Sequence, residues 1–204
     1  LEVAGLGTID ASMIDIGNPH VFIRAKDIGL KGTETADQID ADKDLTELLE
    51  RIRSHAALTM GMISNPARGK QESPAAPIIA MISPPQDYDA PLSDRTVKAE
   101  ESDFLSRLMF MQQMHKTYAG TSTVCTGVAS KLPGTIVHDA ARPEVQARED
   151  VHIGHPAGVM VTEARVALSG VAEHIPAPTR WIGDSEMTGR IERHGREGGR
   201  ERER

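Results

Sequence analysis

The sequence is poor in the residue types that mark several classes of protein. Aromatic residues make up 3% of the 204 residues, and Cys125 is the one cysteine. A single cysteine cannot form an internal disulfide, which excludes a disulfide-stapled secreted scaffold and favours a reducing, cytoplasmic location. No run of about 18 or more apolar residues is present, so the sequence predicts neither a transmembrane helix nor a membrane partner.

The chain also lacks an excess of basic residues. Its formal net charge is -7, whereas binding of nucleic-acid phosphates requires a concentrated basic surface. The composition therefore argues against a nucleic-acid partner. Hydrophobic residues make up 39% of the chain, and a chain of this length can bury a core built from aliphatic residues and methionine.

The first half of the chain contains clear patterns of secondary structure. Residues 11–16 and 20–25 are β-rich runs separated by the turn residues Gly17, Asn18 and Pro19, and this pattern predicts two strands. Apolar residues at helical spacing predict a helix over 42–60. An aliphatic run at 78–82, followed by two prolines, predicts a buried strand.

The second half is less uniform. Residues 104–114 satisfy neither the helical nor the strand period, so the pattern leaves both open. Residues 124–132 predict a short helix, and 135–138 predict a strand. Two further strands are predicted at 151–153 and 158–166, on either side of the tight turn GHPAG.

The two ends of the chain have unusual compositions. Residues 189–204 are almost entirely Arg, Glu, Gly and His, which predicts a disordered tail or a solvated helix after a folded part over 1–188. The chain opens at Leu1 directly in a predicted strand and turn. We interpret this opening as that of a piece cut from a longer polypeptide.

A segment of small residues, GTSTVCTG, is the first candidate site. It runs from Gly120 to Gly127 and includes Cys125. Its backbone N–H groups and the start of the following helix could bind a carboxylate or phosphate, because no large side chain obstructs the approach. The same local field would favour the thiolate of Cys125. The alternative is a buried cysteine in a turn that caps an ordinary helix.

Two turns supply further candidates. Asn18 in the turn GNPH can donate to a carboxylate and accept from a hydroxyl, or it can simply form the turn. His155 in the turn GHPAG can titrate near neutral pH, or the turn can be a hairpin corner. His152 and His155 have a zinc-like spacing, but the glycine and proline around them indicate a turn, so no metal site is predicted. A Cys–His hydrolase built from Cys125 with His115 or His155 remains an alternative chemistry.

Taken in order, several motifs resemble one family. They are GNPHVFIRA, DIGLKGTE, PIIAMISPP, MQQMHKTYAGTSTVCTGVASKLPGT and HIGHPAGVM. Over residues 1–165 the chain resembles the C-terminal lobe of the 2-methylaconitate cis-trans isomerase (PrpF) family. The resemblance implies the diaminopimelate epimerase-like fold, in which each lobe is an α+β unit with a mixed or antiparallel sheet curled around a central helix.

The resemblance implies an isomerase of small unsaturated di- and tricarboxylates that removes a proton and returns it elsewhere without a metal or organic cofactor. Cys125 lies where the epimerase relatives place a catalytic cysteine. The residues expected to bind substrate are Asn18, Gly120, Thr121, Ser122, His155, Ala157 and Gly158.

The resemblance also implies that the principal proton-transfer groups, a lysine and a cysteine, belong to an N-terminal lobe. We expect that lobe to be missing from this chain, with a homodimer as a further possibility. A catalytically incomplete lobe that binds or assembles without enzymatic activity is the alternative to the isomerase.

Overall fold

The computed structural model describes residues 1–166 and 179–182. Its strands are β1 (Glu2–Val3), β2 (Gly7–Thr8), β3 (Ala11–Ile16), β4 (Asn18–Arg24), β5 (Ile78–Ser83), β6 (Tyr88–Ala90), β7 (Arg95–Val97), β8 (Phe104–Phe110), β9 (Gln113–Met114), β10 (Asp150–His155), β11 (Gly158–Glu163) and β12 (Thr179–Ile182). Its α-helices are α1 (Ala36–Ala41), α2 (Lys43–Thr59), α3 (Gly69–Glu72), α4 (Gly120–Lys131) and α5 (Ile136–Ala140). Among these described helices, none is long and apolar enough to span a bilayer. The predicted tail, 189–204, lies outside the described residues.

One mixed sheet forms the centre of the molecule. Its strand order is β11-β10-β8-β5-β4-β3-β12, and β9 pairs with the end of β8. β4 runs parallel to β5, whereas β5 and β8 are antiparallel. Together with the helices, this sheet confirms the predicted α+β class.

The sheet curls around α4. This helix contacts β3 and β4 near one edge of the sheet and β11 at the other edge. Gly127 permits the close approach to β11, because a Cβ at this position would lie 3.0 Å from the Cγ2 of Thr162 and 3.3 Å from the Cβ of Ala164. The predicted arrangement of a sheet around a central helix is confirmed.

Alternate residues of the central strands face two separate cores. On the concave face, α4 and α5 pack against Ile14, Phe22 and other aliphatic side chains. On the opposite face, α2 packs against Met13 and Val21. Every residue of β5 is buried, as expected for a strand covered on both faces.

The strongest sequence patterns correspond to elements of the structure. The predicted helix over 42–60 is α2, and the carboxylate of its N-cap Asp42 accepts a hydrogen bond of 3.0 Å from the amide of Leu45. The predicted strands over 11–16 and 20–25 are β3 and β4, joined at Gly17 with a φ of 74°. Glycine adopts this left-handed conformation without strain, which explains the tight connection.

The strand predicted over 135–138 is wrong, because these residues form the start of α5. The side chain of Thr135 caps this helix by accepting from the amide of His138 at 3.1 Å. The amide of Ile136 donates to the Oγ of Ser12 at 3.0 Å. These two bonds satisfy the first turn of the helix and outweigh the strand preference of the β-branched residues.

Candidate active site

A cavity of about 430 Å³ lies at the end of the sheet where β4 and β5 begin and β8 ends. Asn18, His115 and Thr121 contribute the polar side chains of its lining. The apolar part of the lining includes Ala75, Ala76, Ile78 and Phe110, which we call the apolar wall. The cavity can therefore contact both the polar groups and the carbon atoms of a ligand.

The start of α4 forms part of this cavity. The helix begins at Gly120, four residues earlier than predicted, and its N-cap Ala119 provides no side-chain cap. Within the described part of the chain, the amide N–H groups of Gly120 and Thr121 have no acceptor. Both amides lie at the positive end of a helix of 12 residues, which is a favourable place for an anion.

Ser122 does not contribute to this pair of amides, contrary to the expectation from sequence. Its N–H donates to the carbonyl of Ala119 at 2.9 Å. Its side chain is fully buried, and its Oγ has no hydrogen-bond partner among the described residues. The predicted loop is thus the first turn of a helix, and two amides rather than three are available to a ligand.

Asn18 lies at the cavity beside Thr121, so the structure brings these two predicted site residues together. The Nδ1–H of His20 donates to the carbonyl of Asn18 at 2.7 Å. Burial lowers the pKa of His20 to about 4, although the bond to Asn18 opposes this shift. A neutral imidazole therefore fixes the backbone of Asn18 at neutral pH.

Tyr118 anchors the beginning of α4 to the sheet, a role that the sequence did not reveal. Its hydroxyl lies 3.0 Å from the Oγ of Ser106 on β8 and 2.9 Å from the Oγ1 of Thr126 on α4. Burial raises the pKa of Tyr118 to about 12, so the hydroxyl stays protonated and can donate one of these bonds. These two bonds connect α4, which begins at Gly120, to β8 of the sheet.

The turn GHPAG lies apart from the cavity lining. The Nδ1 of His155 accepts from the amide of Ala157 at 3.2 Å, and the hydroxyl of Tyr88 donates to the carbonyl of Gly158. Burial and the charge of Arg107 lower the pKa of His155. Its ring lies 6.2 Å from that of Tyr118, so His155 contacts the anchor of α4, and the structure does not place it, Ala157 or Gly158 in the cavity.

His115 is a cavity residue that the sequence suggested only as a partner for Cys125. Its Nδ1 accepts from the amide of Thr117 at 3.3 Å. An accepting Nδ1 in a neutral imidazole leaves the hydrogen on Nε2. His115 can therefore offer an Nε2–H to a ligand carboxylate. His115 lies four residues before Ala119 in the sequence, close to the site predicted at Gly120. This proximity is the signal that could have identified it.

Cys125 lies on the face of α4 that packs into the core, and it is fully buried. Its thiol donates to the carbonyl of Ile14 over 3.6 Å, and it does not belong to the cavity lining. Proton transfer by this sulfur would require contact with a ligand, and its position in the structure does not provide that contact. The geometry agrees with a buried cysteine, as in the alternative from sequence, but Cys125 lies within α4 and not in a turn before it.

We expect the thiol of Cys125 to be protected from modification in the folded chain. A buried thiol reacts only when the surrounding structure opens, so labelling by 5,5′-dithiobis(2-nitrobenzoate) should be at least about a hundredfold slower in buffer than in urea. The chain has one cysteine, so the signal has a single source. Complete labelling of the folded protein within the mixing time would show an accessible thiol and return Cys125 to the group of proton-transfer candidates.

A pair of buried charges lies behind the apolar wall. Arg53 and Glu50 on α2 are 1% and 5% exposed. Their side chains form two hydrogen bonds of 2.8 and 2.6 Å. The amide of the Gln112 side chain donates to the same carboxylate at 3.2 Å. We call Glu50, Arg53 and Gln112 the buried polar cluster.

Comparisons with known proteins agree on one family. A family model described as PrpF protein matches residues 1–175. The chain is 45% identical to a 3-methylitaconate isomerase of Eubacterium barkeri over 76% of its own length and 40% of that protein. It is 40% identical to a 2-methyl-aconitate isomerase of Shewanella oneidensis over 85% of its length and 42% of that protein.

A solved structure shares the fold. The crystal structure of a methylitaconate-delta-isomerase superposes with a TM-score of 0.78 at 42% identity, and the match covers 82% of this chain and 43% of that one. The chain thus spans about two fifths of the length of the relatives it matches. The comparisons give no support to the alternative of a non-enzymatic remnant. By its family match, its relatives and its fold, the chain belongs to the PrpF family.

Proposed function

We propose that the chain carries a substrate-binding site of an isomerase that acts on small unsaturated di- and tricarboxylates without a cofactor. Its relatives are named as isomerases of methylitaconate and methyl-aconitate, which are acids of this class. The observation that carries the proposal is the pair of amides at Gly120 and Thr121, which have no acceptor among the described residues and lie beside a cavity. A carboxylate is the ligand that such a helix start favours.

The chemistry of double-bond migration explains why these amides matter. Removal of a proton from the carbon next to a carboxylate places negative charge on the carboxylate oxygens. Preorganised N–H donors stabilise that charge, and each well-placed donor contributes roughly 3 to 4 kcal/mol. In this proposal, the negative charge is stabilised by the amides of Gly120 and Thr121 and by the dipole of α4. The reaction then needs neither a metal nor an organic cofactor.

The other polar side chains at the cavity orient the ligand. The Nε2–H of His115 and the carboxamide of Asn18 can donate to a second carboxylate, since both residues line the same cavity as Thr121. Two anchored carboxylates fix the carbon skeleton between them, and such orientation contributes strongly to the rate of proton transfer.

The test is the removal of a single amide hydrogen. Gly120→Pro deletes one N–H at the first position of the helix, where proline is tolerated. The preceding Ala119 has φ -70° and ψ 124°, a conformation compatible with a following proline. We expect the affinity for methylfumarate, measured by NMR titration of the Thr121 amide signal, to fall by about tenfold.

The matched control is Gly120→Ala, which keeps the N–H. A Cβ at Gly120 would meet nothing within 4 Å, so the alanine variant should bind methylfumarate within about twofold of the parent protein. Equal affinities for the proline and alanine variants would contradict the proposed role of this amide.

A further inference from the structure

Three hydroxyl groups form a buried chain between the sheet and α4. The hydroxyl of Tyr118 lies 3.0 Å from the Oγ of Ser106 on β8 and 2.9 Å from the Oγ1 of Thr126 on α4. Ser106 and Thr126 are fully buried, and Tyr118 is 3% exposed. Hydrogen bonds away from water are stronger than the same bonds at a surface, and bonds in a chain strengthen one another. The chain of hydroxyls is therefore a firm connection within the fold.

The bond between Tyr118 and Thr126 closes a ring around the start of α4. Tyr118 lies two residues before Gly120, where the helix begins, and Thr126 lies between one and two turns into the helix. The backbone runs from Tyr118 through the amides of Gly120 and Thr121 to Thr126, and the side-chain bond returns to Tyr118. The two amides that have no acceptor among the described residues thus lie inside this ring.

The first turn of α4 has few restraints of its own. Gly120 has more conformational freedom than other residue types, and the N-cap Ala119 provides no side-chain cap. The N–H of Ser122 donates to the carbonyl of Ala119, and the Oγ1 of Thr123 donates to the carbonyl of Gly120, but these bonds lie within the turn and move with it. The helix joins the hydrophobic core from Val124 onward. The direction of the first amides therefore depends on contacts outside the turn.

We propose that Tyr118 is a positioning residue that, through its bond to Thr126, holds the amides of Gly120 and Thr121 in one direction before a carboxylate binds. This inference rests on the proposed function, because the direction of the amides matters only if they bind an anion. Donors that are already fixed avoid the loss of affinity that comes from ordering a mobile turn around each ligand. Fixed donors also need no reorganisation when negative charge develops during a reaction.

The experiment opens the ring with Tyr118→Phe in the full chain. This change removes the hydroxyl and keeps the aromatic side chain in the core. We expect the backbone ¹⁵N order parameters of Gly120 and Thr121 to fall from about 0.85, typical of a rigid backbone, towards about 0.6. We expect the dissociation constant for methylfumarate, read from the Thr121 amide signal, to rise about fivefold. Both quantities are read from the signals of folded protein, so a lower free energy of unfolding alone changes neither.

Two further variants separate the ring from the link to the sheet. Thr126→Val lacks the hydroxyl, so it opens the ring while Tyr118 keeps its bond to Ser106. Ser106→Ala removes the link to β8 and leaves the ring closed. We expect Thr126→Val to match Tyr118→Phe in order parameters and affinity, and Ser106→Ala to bind within about twofold of the parent protein. In the double variant of Tyr118→Phe and Thr126→Val the two effects should not add, since each change breaks the same bond.

The outcomes separate the two proposals. If methylfumarate does not shift the Thr121 amide of the parent protein, the proposed function and this inference both fail. If the parent protein binds and the variants Tyr118→Phe and Thr126→Val bind equally well, the positioning role is overturned and the carboxylate site stays intact. Unchanged order parameters in both variants overturn the positioning role as well. An equal loss of affinity in Ser106→Ala overturns the ring as the cause, because that variant leaves the bond to Thr126 in place.

Discussion

Replacement of Arg53 by methionine is expected to lower the free energy of unfolding by about 3 to 5 kcal/mol, the cost of removing one partner of a buried ion pair. Methionine has a comparable length but leaves the carboxylate of Glu50, which is 5% exposed, without its cation. It also removes the donor to the carbonyl of Ser73 and one of the two donors to the carbonyl of Ala76, which still accepts from the hydroxyl of Ser73. Urea unfolding followed by circular dichroism measures the change.

Arg51→Met is the matched control for this experiment. Arg51 lies two residues away on the exposed side of α2, and its replacement should change the free energy of unfolding by no more than about 0.5 kcal/mol. If the two substitutions lowered the free energy of unfolding by similarly small amounts, the buried pair would contribute little to stability. Segment 73–77 would then be held by other contacts.

Acidification from pH 7 to pH 5 is expected to lower the free energy of unfolding by about 2 kcal/mol through His20 alone. In the unfolded chain the pKa of this imidazole is 6.5, and burial lowers it to about 4 in the fold. Between these two values the unfolded state binds more protons, so stability is complete above pH 6.5 and decreases as the pH falls towards 4. The lowered pKa of His155 acts in the same direction.

The His20→Asn variant isolates this contribution. The side-chain amide of asparagine can donate to the carbonyl of Asn18 as the Nδ1–H of His20 does, but it does not titrate. The variant should therefore lose about 2 kcal/mol less than the parent protein between pH 7 and pH 5 in urea unfolding. Parallel pH profiles for the two proteins would contradict a buried neutral His20.

Elements with a strong local signal were predictable from the sequence. The apolar spacing of α2 and its capping Asp42 define that helix to within a residue or two. The segment 104–114 remained ambiguous because β8 is buried on both faces, and a strand without a polar face shows no alternation. The start of α4 was missed because Gly120 and the Ser and Thr residues after it have low intrinsic helix propensity.

The cavity was predictable only in part. Asn18 lies at a turn and Thr121 at the start of a helix, and the polar side chains at such positions can be recognised in the sequence. Both residues line the cavity. The apolar wall could not be predicted, because Ala75, Ala76 and Phe110 come from distant segments and carry no polar signal. Arg53 was equally hidden, since an arginine within an amphipathic helix is ordinarily expected on the solvent side.

Two separate parts of the fold hold the residues that line the cavity. The amides at the start of α4 belong to the concave face of the sheet, whereas the buried polar cluster starts from α2 on the opposite face. A substitution in α2 can therefore shift segment 73–77 at the cavity without directly altering the amides at the start of α4. Such a division lets one part of the cavity lining vary during evolution while the helix start on the other face of the sheet is retained.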